Sequence, residues 1–124
     1  MPNERMRALR WGFELLREIQ ADMRVDEADR RHAVDLIASY PGPEQLLRWV
    51  LDDAPCIPVP SATAIALAAE LFRRVWRKPM SAETQHAVMF TLRHFPDAEE
   101  AMQMSVSVFG QSLHRWLRPD DCYR

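Results

Sequence analysis

Four histidines, His32, His86, His94 and His114, are the residues of this 124-residue chain best suited to bind a metal or move a proton. Zinc sites draw their ligands from close spacings such as HExxH or CxxC, which let one short stretch of chain close much of the coordination shell. Neither spacing occurs, and Cys56 and Cys122 stand 66 positions apart. The histidines therefore read as helix-surface residues. A serine nucleophile needs the strained GxSxG elbow and a cysteine nucleophile a polarising partner, and neither signature is present. Three glycines can hardly build a GxxxxGK[ST] phosphate cradle or a GxGxxG turn. The acid pairs Asp52-Asp53, Glu99-Glu100 and Asp120-Asp121 fall beside linkers or helix starts, where carboxylates meet solvent or the helix dipole. The expectation is a non-enzyme with no catalytic residue, no metal site and no cofactor.

Binding chemistry is what remains. Arg73, Arg74, Arg77 and Lys78 occupy the last turn and a half of a helix, where cations complement the negative helix end. The sharper reading is an anion or nucleic-acid contact. A net charge of -2 argues against a dedicated nucleic-acid binder. Of the four tryptophans, Trp49 and Trp116 look less securely placed in the core than Trp11 and Trp76, and exposed tryptophans anchor interfaces. Met102, in a methionine-rich stretch with Met104, offers an adaptable apolar contact. The candidate partner-binding residues are thus Trp49, Arg73, Arg74, Arg77, Lys78, Met102 and Trp116. A protein partner is expected ahead of nucleic acid, with a homodimer left open.

A chain of this length suits a single domain, and 48% hydrophobic with 27% charged residues places it among globular rather than disordered proteins. The isolated cysteine pair suits a reducing compartment with free thiols. The opening MPNERMRALRW lacks the apolar core of a signal peptide, and no apolar run approaches the ~20 residues that span a bilayer. A cytoplasmic protein without membrane contact is expected.

The elements that must position these residues are helical. Ala8, Trp11, Gly12, Leu15, Leu16 and Ile19 recur at steps of three and four, which predicts an amphipathic helix ending near Met23. Asp26 is the expected cap of a second helix to Ser39 that turns Ala33, Leu36, Ile37 and Tyr40 inward and stops at Pro41. Gly42-Pro43 opens a short third helix to Leu51. Residues 52–60, DDAPCIPVP, read as a stiff proline-rich linker. Ser61 is expected to cap a fourth helix with Ile65, Ala68, Ala69, Phe72, Val75 and Trp76 on one side. Ser81 caps a fifth that carries Val88, Leu92 and Phe95, Asp97 a sixth through Met102 and Met104, and Leu113, Trp116 and Leu117 suggest a final helical piece.

Two stretches match. HAVDLIASYPGPE from His32 and HAVMFTLRHFPDAEE from His86 each run from His-Ala-Val to an aromatic-proline pair and then a glutamate. Glu14-Leu15-Leu16-Arg17 meets Glu70-Leu71-Phe72-Arg73 at an offset of 56, the histidines at 54 and the aromatic-proline pairs at 55. The fold class expected is all-α: two helix-helix-turn-helix units, residues 1–51 and 61–118, joined by the 52–60 linker and packed as a tandem repeat into one bundle-like domain. A ~50-residue unit has a marginal core alone, so each would cover the other.

The stretches ERMRALRWGFELLREI and DRRHAVDLIASYPGPE resemble a family of small uncharacterised bacterial proteins often carried by prophages and integrative elements. The matching positions are Glu4, Arg5, Arg7, Ala8, Leu9, Phe13, Leu15, Tyr40 and Pro41, within residues 1–50. The second half lacks the Glu-Arg-x-Arg opening. The resemblance implies a genomic context and no catalytic residue. With it, the expected function is a non-catalytic protein-binding module, of which a mobile-element-encoded inhibitor or modulator of a host system, antidefence or anti-CRISPR in type, is the specific form. The alternative is a small helical DNA-binding transcriptional regulator using Arg73 to Lys78.

Overall fold

A computed structural model describes residues 4–52, 56–78 and 80–106, and all regular structure among them is α-helical, as the periodicity predicts. The elements are α1 (Glu4–Ala21), α2 (Glu27–Ile37), α3 (Pro43–Leu51), α4 (Val59–Val75), α5 (Ala82–Leu92) and α6 (Ala98–Gln103). Leu113, Trp116, Leu117, His114 and Cys122 lie outside the described residues.

Local chemistry sets most of the boundaries. Pro43 occupies the first turn of α3, where its missing amide hydrogen costs nothing, with Gly42 as the preceding cap. Ser81 accepts from the Thr84 amide at 3.1 Å to start α5. Asp97 and Glu100 form a reciprocal capping box at α6. Two starts differ from expectation. Helix α4 begins at Val59 rather than after Ser61, because Pro60 is tolerated in a first turn whose amides lack intrahelical partners anyway. Asp26 holds the cap position of α2 but makes no capping bond. Its carboxylate reaches across to Lys78 instead.

The two halves run through the same helix order, yet they pack differently. Helix α1 lies against α2 and α5, whereas α4 lies chiefly against α6 and α2. The halves therefore interlock and share one core. Leu9, Leu15, Leu16 and Ile19 of α1 and Ile65, Leu71 and Phe72 of α4 are its largest fully buried side chains, with Leu46, Ile57 and Met104 closing the ends. The chain before α4 is tied to the end of α6 by the Ile57 amide, which donates to the Met104 carbonyl at 2.8 Å.

Both aromatic-proline turns converge on one point of α1. A methyl group on Gly12 would overlap the Tyr40 hydroxyl and the Phe95 ring, so only glycine lets both aromatics approach the helix. Tyr40 donates its hydroxyl to the Leu9 carbonyl at 2.6 Å, and burial pushes its phenol far above the usual range, which keeps it a donor. Phe95 meets Phe72 edge to face at 5.3 Å.

Candidate functional site

The basic run divides by helical geometry. Arg74 and Lys78, one turn apart, face α2, where Arg74 Nε donates to Asp29 at 3.1 Å and Lys78 donates to Asp26 at 2.9 Å and to Asp29 at 3.0 Å. Arg74 also lies 3.1 Å from His32 Nδ1. The Asp29 side chain is only 5% exposed. Burial alone would raise its pKa, but the hydrogen bonds from Lys78 and Arg74 outweigh that and hold it below the usual carboxylate value. The bonds from Asp26 and Asp29 raise that of Lys78. These groups form a polar seam joining α2 to α4. Arg73 and Arg77 remain exposed and outside the seam.

A second carboxylate ties α1 to α5. Asp22, just past α1, accepts from the Ser81 amide at 3.0 Å and the Arg24 amide at 2.9 Å. Burial opposes the charge, yet these amides and the Thr84 and Ser81 hydroxyls bring the Asp22 pKa down to about 2. The start of α5 is thereby fixed against the end of α1.

Among the described residues, Trp11, Trp49 and Trp76 fall in the reverse of the expected order, and Trp116 lies outside them. Trp49 is half-buried against the core, because its position on α3 turns it toward the molecule while Leu47 and Leu51 face out. Trp11 is 42% exposed and Trp76 38% exposed. Each sits at the edge of its helix's apolar stripe, beside α5, where the helix leaves a cleft rather than a lid. Met102 is exposed on α6, while Met104 is fully buried.

Helix α5 organises the surface that results. Thr84, Val88 and Thr91 point inward, and Met89 and Phe90, 48% and 41% exposed, point out. On the α1 side, Ala87, Thr91 and Phe90 oppose Trp11, Leu15, Glu14 and Glu18 across an apolar cleft of about 220 Å³. On the other side, Trp76 lines a broader hollow with Met89, Phe90, Leu92 and Arg93. Phe90 is the crest between them, its ring met edge-on by His86 at 4.6 Å. The Arg7 guanidinium lies 5.8 Å above the Trp11 ring. Glu18 has its pKa raised, first by burial and then by repulsion from Glu14 and Glu83. The arrangement offers apolar and charged contact.

Sequence reasoning missed Met89 and Phe90. The signal was present in the unbroken apolar run Ala87-Val88-Met89-Phe90, four residues that one inward face cannot hold. Among the described residues no three His, Cys, Asp or Glu side chains are placed to hold a metal, and no helix is long and apolar enough to cross a membrane. No protein family, curated protein or solved structure matches the chain.

Proposed function

We propose that the chain is a non-catalytic protein-binding module that docks its partner on the α5 face. The observation that carries this reading is the exposure of Trp11, Trp76, Met89 and Phe90 around one helix, with Phe90 shared by two clefts. Large apolar side chains grouped in this way mark interaction surfaces, whereas singly scattered ones do not. In its specific form the module is an inhibitor or modulator of a host system carried by a mobile element, which the resemblance of residues 1–50 supports. The DNA-binding alternative loses ground because Arg74 and Lys78, two cations of its basic segment, are engaged by Asp26 and Asp29.

A photoreactive residue in place of Phe90 tests the surface in cells. The control carries the same label at Leu51, exposed on α3, which makes no contact with α5. A defined protein adduct from position 90 and none from position 51 is the expected result. Equal labelling from both, or none from either, removes the α5 face as a docking site. DNA retardation abolished by Arg73→Ala with Arg77→Ala replaces the module with the regulator.

A further inference from the structure

The α5 face carries its charges in two groups. Glu14, Glu18 and Glu83 stand on the α1 side, close enough for Glu18 to feel the other two. On the opposite side, Arg93 lines the hollow beside Trp76, and Arg73 lies one turn before Trp76 on α4. All five side chains are exposed. No hydrogen bond or ion pair among the described residues engages them, and neither Arg10 nor Arg17 of α1 makes an ion pair with the acids. The three acids and these two arginines are thus separated by the Phe90 crest, and Arg7, over the Trp11 ring, is a single cation set against the three acids on their side.

We infer that this face is self-complementary and that its occupant is a second copy of this chain. A two-fold axis lying along α5 exchanges the two sides, so the acidic side of each copy meets the basic side of the other while the Phe90 crests pack together. Such a two-fold contact uses one surface twice and closes on itself, which limits the assembly to a dimer. The α1 cleft, at about 220 Å³, is smaller than pockets for cofactors or drug-sized ligands, which start near ~300 Å³, and its apolar lining suits an inserted aromatic side chain. Trp76, 38% exposed and one turn from Arg73, lies on the side of the facing copy that meets this cleft. A net charge of -2 puts little general repulsion between copies. The inference rests on the reading of the α5 face as a docking surface and names what docks there.

Sedimentation equilibrium on the full chain from micromolar to about 1 mM tests it, with circular dichroism melts confirming that each variant folds. The wild type forms a concentration-dependent dimer that weakens as salt screens the charge pairs. Glu14→Arg with Glu18→Arg weakens it by at least about tenfold, and Arg73→Glu with Arg93→Glu does the same, because each change sets like charges face to face. Mixing the two variant chains restores a heterodimer, since every facing pair is then again opposite in sign. A wild type that stays monomeric to about 1 mM overturns the inference and leaves the Phe90 cross-link to decide the docking surface alone. A dimer indifferent to both reversals, or a mixture that fails to restore association, also overturns it. So does an adduct from position 90 that contains only a foreign protein.

Discussion

Asp29 and Glu18 are both helix carboxylates, and their surroundings drive them in opposite directions. Asp29, in the α2–α4 seam, is nearly enclosed yet held ionised by Lys78 and Arg74. Glu18, on the rim of the α1–α5 cleft, is more exposed, and burial together with Glu14 and Glu83 pushes it toward the neutral form. One charge is answered inside the molecule, and the other is left without a partner. The difference separates construction from recognition: where the fold needs a charge it supplies the counter-charge, and where it leaves like charges gathered beside exposed aromatics, something outside the chain can supply it.

Breaking the seam gives the largest loss of stability. Asp29→Ala leaves Arg74 and Lys78 with no shared anchor, and because both cations are partly solvated the cost is set at about 2 kcal/mol, below the 3–5 of a fully buried pair. Urea unfolding checks this as a lower midpoint with an unchanged slope. Dimerisation and partner cross-linking from position 90 are unaffected, since the seam lies on the α2 side of α4.

The second link, Asp22, gives a smaller loss with a defined pH window. Its folded pKa of about 2 lies below its ordinary 3.8, so its stabilisation is complete above that ordinary value and disappears as pH falls toward 2. Asp22→Asn, which keeps the shape and loses the charge-assisted acceptor at the start of α5, costs about 1 kcal/mol near neutral pH. Thermal melts from pH 6 to pH 2 show the wild type and variant converging at the acid end. Lys78 sets the other limit: its pKa is raised, so its part in the seam is present below the ordinary lysine value of 10.5 and is lost as pH climbs through the higher folded value.

Much of the fold was legible in the sequence because it is written in local chemistry. Apolar residues at steps of three and four located α1 and α4, and Ser81, Asp97 and Pro43 marked helix starts without reference to anything distant. The seam was not legible. The spacing of Arg73 to Lys78 is equally compatible with capping the end of α4, and only the packing of α2 on α4 reveals that Asp29, 45 positions away, takes Arg74. The tryptophans misled for the same reason. Trp11 and Trp76 satisfy the apolar period of their helices, but whether the edge of a stripe is covered depends on how closely the next helix packs, and α5 leaves a cleft on both sides. The repeated aromatic-proline turns acquired a meaning that the alignment lacked: Tyr40 and Phe95 are drawn to the same glycine of α1.

On the α5 face stability and association respond separately. Phe90→Glu removes an apolar side chain that is 41% exposed and makes its main contacts at the crest. Its effect on unfolding is within about 0.5 kcal/mol, the range of surface substitutions, while dimerisation is abolished. Equilibrium unfolding and sedimentation on the same preparation check both halves of that statement.

The smallest effect is the most discriminating, because its sign is opposite to that of Asp29. A carboxyl group whose folded pKa is raised destabilises the folded state once it ionises, so Glu18 detracts from stability as pH rises through its ordinary value of 4.5 and beyond. Glu18→Gln removes the charge and the repulsion from Glu14 and Glu83 while keeping the side chain's length. Since Glu18 is exposed and solvent screens the interaction, the gain is only roughly a few tenths of a kcal/mol, read as a slightly higher urea midpoint at pH 7 that vanishes at pH 3. The same substitution weakens the dimer, because Glu18 is one of the charges that meets the facing arginines. A residue whose removal strengthens the fold and weakens the assembly is placed for binding rather than for folding, whereas Asp29, whose removal weakens the fold and leaves the assembly unchanged, is placed for the fold.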